Sequence, residues 1–208
     1  MVAAAPPTLT LPRKGGGDGQ HLASFPSPVA GESRGGGSAV SRDVAWFASC
    51  GTTLRLDEIA TTEAYLAALG LPRVPIGGVA TWREAAALAQ RDDWSRDWWQ
   101  AEEIERAALG RAAAAAKGET ALLNSLSRAM EATASPIQAA ASAALGRAGI
   151  ADEMLARVAA GAASQACHHY ALAQEAGRGA DHAFAHKYRL YRGGRWLLGV
   201  VGECCFVF

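Results

Sequence analysis

At 208 residues the chain is long enough for one domain with a sizeable core and short for two. Its 20 basic and 20 acidic residues cancel, which excludes a chain-wide attraction to nucleic acid or an acidic membrane. Half the residues are hydrophobic, but alanine leads and aromatics reach only 7%, a mix that favours closely packed helices over a β-sandwich.

The four cysteines show no disulfide-framework spacing and no CxxC, so a reduced, cytoplasmic setting is expected. Met1 to Thr10 has no basic region ahead of a continuous apolar core, and prolines interrupt it, so no secretory signal is read there. The most apolar late run, Trp196 to Phe208, contains Gly and Glu203 and is too short to span a bilayer, which takes about 20 residues. A soluble protein is expected.

Residues 1–42 differ in kind from the rest. Pro12 to Gly19 and Pro26 to Gly37 are dense in glycine and proline, which oppose helix and strand and leave little apolar surface to offset ordering. A disordered extension is expected there. Neither glycine triplet is followed by Lys-Ser/Thr or framed as GxGxxG, so a phosphate cradle is not supported. The wording of Leu11 to Gly37 resembles translated bacterial intergenic palindromic repeats. The resemblance implies a recently acquired extension or a start codon assigned too early, and implies nothing about the remaining 43–208 segment.

Val44 to Leu56 is transitional: Val44, Trp46 and Phe47 can dock on a core, and Cys50 reads as a small packed thiol. Asp57 to Leu69 is the first firm helix, with Ile59, Tyr65, Leu66 and Leu69 on its stripe and Gly70 as a stop. Leu71 to Gly78 reads as a loop because of its prolines and glycines. Thr81 and Glu84 form a capping box that opens a helix toward Arg91.

Asp92 to Ala116 places Trp94, Trp98, Ala101, Glu105, Ala108 and Leu109 on one helical face. Glu105 then lies inside an apolar stripe, with Glu102 at its border, and a carboxylate there needs a partner, a cation, a proton or a way out to water. Glu119 to Thr133 makes another helix. Ser135-Pro136 reads as a cap with proline at the first helical position, opening a separate helix over Ile137 to Arg147.

In Ile150 to Ala176 the inner face is set by Met154, Leu155, Val158, Ala162, Leu172 and Ala173, with His169 near its middle and Cys167 turned away. Adjacent residues on a helix do not converge on one ion, so Cys167-His168-His169 is not a metal cluster. A lone histidine on an apolar face is more often a satisfied core residue than a ligand. His182 and His186 are spaced to share a helix side, with Asp181 as cap, but the glutamate of HExxH is missing. No third or fourth ligand appears, nor the Glu-x-x-His of a two-metal bundle.

From Lys187 the pattern reads as a three-stranded antiparallel meander: Tyr188 to Tyr191, then Trp196 to Val201 in the middle, then Cys204 to Phe208 as part of the core. Cys204 and Cys205 fall on opposite faces. The arginines and aromatics of this run have the composition of a nucleic-acid surface, but an edge strand kept soluble by arginine accounts for them in a neutral chain.

The expected architecture is mainly α: one helical-bundle-like domain over 43–208, of about six helices, closed by a small C-terminal antiparallel β-meander. The expected function is a non-catalytic module that binds a protein partner or a small ligand, with Trp94, Trp98, Trp99 and Trp196 supplying contact area. The alternative is an enzyme or metal-binding bundle whose pocket gathers Glu105, His169, His182, His186 and Trp98. Within that pocket Glu105 and His169 are the expected pair, each relieving the other's burial. Nucleic acid and membrane are not expected partners, self-association is left open, and no cofactor, metal ligand set or catalytic residue is assigned.

A chain beginning at Asp43 is expected to unfold thermally within about 4 °C of the full chain. A larger drop would show that residues 1–42 contribute to the fold.

Overall fold

The computed structural model describes residues 44–208; the expected extension over 1–42 lies outside the described residues. Six helices and three short strands follow in the order α1 (Leu56–Ala68), β1 (Ile76–Gly78), α2 (Trp82–Ala89), α3 (Arg96–Lys117), α4 (Glu119–Arg147), α5 (Glu153–Glu175), α6 (Ala183–Arg192), β2 (Leu197–Val201) and β3 (Cys204–Val207). The domain is mainly α with a small C-terminal sheet. None of the helices among the described residues is long and apolar enough to cross a membrane.

Local chemistry sets most helix starts. Thr81 Oγ1 accepts from the Glu84 amide at 3.2 Å while Glu84 reaches back to the Ala80 amide at 2.9 Å, the expected reciprocal cap of α2. Ser95 caps α3 through the Trp98 amide and Asp152 caps α5 through the Leu155 amide. α6 is capped by His182, not Asp181: its Nδ1 accepts from the Phe184 amide at 3.1 Å.

The predicted break at Ser135-Pro136 does not occur, and α4 runs through Pro136 without interruption. Ile137, Ala141, Ala144 and Leu145 lie buried beyond the proline, in a helix packed along the length of α5. Burial of that whole face outweighs the roughly 3 kcal/mol that an interior proline costs. α5 buries Leu155, His169, Leu172 and Ala173 as expected, but its inner face is wider and rotated in its first half. Met154 and Val158 are exposed, whereas Ala156, Ala159, Ala160, Ala163, Ala166 and Cys167 are buried. Small residues allow two long helices to approach closely, so the alanines and Cys167 take the interface.

The sheet is mixed, in the order β1-β3-β2, rather than an antiparallel meander. Lys187 to Tyr191 belongs to α6, where only Arg189 and Arg192, three apart, are exposed. A helix buried nearly all round shows no clean stripe, and its short apolar run imitates a strand. The third strand comes instead from the predicted loop. Ile76–Gly78 pairs in parallel with β3, and the glycines permit it: a Cβ at Gly77 would sit 2.9 Å from the Phe206 ring. β3 is therefore the middle strand, with Cys205, Val207 and Phe208 buried, and the C-terminal run is core as expected. Cys205 is buried and Cys204 only partly so, as alternation requires.

On its other edge β2 meets the segment before α3, through Ser95 N–H to Val200 O at 2.9 Å and Gly202 N–H to Asp93 O at 2.9 Å. β2 bulges between Leu197 and Gly199, and Gly199 has φ +123°. The Trp98 ring fills the space where a Cβ would lie, 2.4 Å away. Glycine is required there on both counts.

Arg195, just before β2, is 1% exposed. Its Nε and one terminal nitrogen hold Glu58 at 2.9 and 2.8 Å, and its terminal nitrogens also donate to the carbonyls of Ser49, Thr52 and Thr53. Burial pushes the Glu58 carboxyl up, but Arg195 and the Arg55 amide outweigh it and hold the group below the ordinary value. Arg195→Met is expected to cost about 3–5 kcal/mol, because it leaves three carbonyls unmatched and a buried carboxylate with only the exposed Arg55 guanidinium and the Arg55 amide as partners. Adding Glu58→Leu should recover part of that loss in chemical denaturation, and no recovery would mean that the carboxylate does not depend on Arg195.

Candidate functional site

The inner face of α3 runs through Trp98, Glu102, Leu109 and Ala113, turned roughly 60° from the face that contains Glu105. The buried carboxylate is thus Glu102, 4% exposed. Its Oε1 accepts from the Tyr65 hydroxyl at 2.5 Å and from Lys187 Nζ at 2.6 Å, and Tyr65 in turn accepts from Trp98 Nε1 at 2.7 Å. One polar chain so joins α1, α3 and α6. Burial, with the Glu102 charge adding to it, holds the Tyr65 hydroxyl well above its usual pKa, so it stays a proton donor.

The expected Glu105–His169 pair is not formed. Glu105 is partly exposed and meets His182 Nε2 at 2.9 Å. Because His182 Nδ1 accepts the Phe184 amide, its proton sits on Nε2 and is donated to Glu105. His169 lies on the inner face of α5 as expected, 3% exposed, stacked on Phe184 with ring centroids 4.3 Å apart. Its Nδ1 has no partner among the described residues. His186 faces Arg189, whose guanidinium donates to Nδ1 at 3.0 Å. Of the five expected pocket residues, Glu105 and His182 meet directly, and His169 and His182 flank Phe184. Trp98 belongs to the Glu102 chain, and His186 stands apart.

Around His169 the open space is about 10 Å³, bounded by Trp99, Glu102, Glu103 and Gln165. That is room for one water at most. Among the described residues no group of three or more His, Cys, Asp or Glu is placed to hold a metal ion. The cysteines are free, and burial pushes Cys50, Cys167 and Cys205 up to about 12, so these thiols remain protonated at neutral pH.

A larger cleft lies elsewhere and contains none of the expected residues. It is an open cleft of about 550 Å³ between the 47–51 segment, the start of α2, the end of α4 and Phe208. Trp82, Phe208 and Phe47 back it as buried rings packed on one another, Trp82 in edge contact with Phe208 at 4.9 Å and tilted against Phe47 at 6.0 Å. Phe47 has φ +60°, the one non-glycine residue in that region among those described, and a bulky side chain held there stores strain. Arg83 and Arg147 stand in the lining, and none of the lining side chains carries a carboxylate. Four separated stretches of chain build this cleft, so no local sequence pattern announces it. Lys187 as the partner of Glu102 was more accessible: once 183–192 is read as a helix, its four-residue offset from Ala183 and Tyr191 places it on the covered side.

Burial, with Lys187, His168 and Arg106 adding to it, lowers His169 from its ordinary 6.5 to about 2. The unfolded chain therefore takes up this proton first on acidification, and stability falls as pH drops below about 6.5, by about 1.4 kcal/mol per pH unit. His169→Phe, which keeps the stack on Phe184, is expected to flatten the stability–pH curve by about one proton between pH 6 and pH 4. An unchanged slope would mean that His169 is protonated in the folded protein.

Comparison of the chain with protein-family models, curated proteins and solved structures finds no match.

Proposed function

We propose that residues 44–208 form a non-catalytic module that binds a small ligand in the cleft beside Trp82. The observation that carries this reading is the cleft: its volume of about 550 Å³ lies within the range typical of small-molecule sites, about 300–1,000 Å³. Phe47 is held in a strained backbone at its edge. A partner-protein role for the tryptophans is less supported, since Trp98 and Trp196 are buried and only Trp99 is substantially exposed. The second reading, an enzyme or metal-binding bundle using the Glu and His side chains, is favoured by the unpartnered His169 Nδ1. The surrounding space of about 10 Å³ leaves no room for a substrate.

The test uses two naphthalene probes of similar shape, neutral N-phenyl-1-naphthylamine and anionic 8-anilinonaphthalene-1-sulfonate. At least one is expected to bind the full chain saturably, and Ala148→Trp, at an exposed lining position, is expected to weaken that binding about tenfold or more. Saturable binding of neither probe, or binding that ignores Ala148→Trp, would refute the cleft as the site.

A further inference from the structure

Separately from the cleft, we propose that the small space between α3 and α5 is a built site for one water molecule, which accepts from His169 Nε2 and donates to Glu102 Oε2. Glu102 on α3 and His169 on α5 both line this space. Its volume of about 10 Å³ is close to the least that holds a water.

Each side presents a polar atom that the protein itself leaves over. The two donors to Glu102, the Tyr65 hydroxyl and Lys187 Nζ, both land on Oε1, and Oε2 has no hydrogen bond among the described residues. His169 is 3% exposed, and neither of its ring nitrogens has a hydrogen bond among the described residues. Nδ1 is sealed in the packing, so Nε2 is the nitrogen left to face the space. Burial, with Lys187, His168 and Arg106 adding to it, keeps the ring neutral, with one proton to place. On Nδ1 that proton would be shut away from any acceptor. On Nε2 it reaches one, and Nδ1 keeps its bare lone pair.

The surroundings select the occupant. It must accept from the imidazole and donate to the carboxylate. Glu102 already holds Lys187 at 2.6 Å, and Glu103 at the rim is paired with Arg106, so a further cation finds its counter-charge taken. An anion would meet two carboxylates, and an apolar atom would leave both polar atoms unmatched. A neutral molecule of water's size satisfies both sides. The exposed Gln165 offers a third polar contact at the mouth, beside the half-exposed Trp99 ring. The water carries the polar chain of Tyr65, Glu102 and Lys187 on to α5, so that one network reaches α1, α3, α5 and α6.

The test is NMR on the full chain, labelled with nitrogen-15 and carbon-13, at neutral pH. The His169 ring is expected to show a protonated Nε2 and a bare Nδ1. Its carbon-bound protons, which do not exchange with solvent, are expected to show cross-relaxation with a long-lived bound water. In His169→Phe, which keeps the stack on Phe184, oxygen-17 relaxation dispersion should lose the signal of one long-lived water. A proton on Nδ1 would overturn the site, and so would ring protons that see no bound water. A hydrogen bond running straight from Nε2 to Glu102 would give the expected tautomer without the water, and overturns the proposal equally. An unchanged water signal in a folded His169→Phe does the same. If that variant does not fold, the two ring measurements on the unaltered chain decide alone.

Discussion

A guanidinium buried at the junction of three chain segments determines how the rest of this domain can be arranged. Removing Arg195 from water is costly, and only a full set of acceptors offsets the cost. The domain supplies that set from one carboxylate on α1 and three main-chain carbonyls of the preceding segment. Those carbonyls lie in a stretch with no regular structure, between Ser49 and Thr53. Their orientation is fixed by the arginine rather than by a helix or sheet ladder. That segment also presents Phe47 and Cys50 to the cleft, so the shape of the cleft is set partly by a residue that does not line it.

The Glu102 chain does similar work in a different place. Arg195 anchors the entry segment to the sheet, whereas Glu102 ties α3 to α1 and α6 through Tyr65 and Lys187. Both arrangements satisfy a buried carboxylate with a buried cation and neutral donors. Such networks stabilise less than apolar packing of the same volume, but their partial loss is costly. The buried face of α5 is built largely of alanine, which has few shape features to specify a unique packing. Directional polar contacts between helices provide specificity that small side chains lack.

How much of this was legible in the sequence depended on whether the signal was local. Helix caps at Thr81 and the stop at Gly70 were readable because the chemistry spans a few residues. The burial of His169 was readable from period alone. By contrast, the first half of the α5 face was misjudged at Met154 and Val158, because large apolar residues were taken as the inner side while close helix contact favours alanine. The break at Pro136 was misjudged because a local preference was opposed by contacts with a helix read separately. β1 was missed because strand pairing depends on a partner more than a hundred residues away. Glu105 and Glu102 differ by less than one turn, and rotation of a helix by that amount decides which carboxylate is buried and which partner it finds.

The position of β3 between β1 and β2 has a consequence for synthesis on the ribosome. The strand that holds the sheet together is the last of the described elements to be made, and it must enter between a neighbour made long before and one made immediately before. Until it emerges, Ile76–Gly78 has no ladder to join, and the apolar faces beneath the sheet remain uncovered. The helices can form and associate as they leave the tunnel, but closure of the core waits for Cys204–Val207. A chain that stalls or is cut before β3 would therefore present an open β1 edge and uncovered apolar surface, a state that invites chaperone capture or strand exchange with another nascent copy.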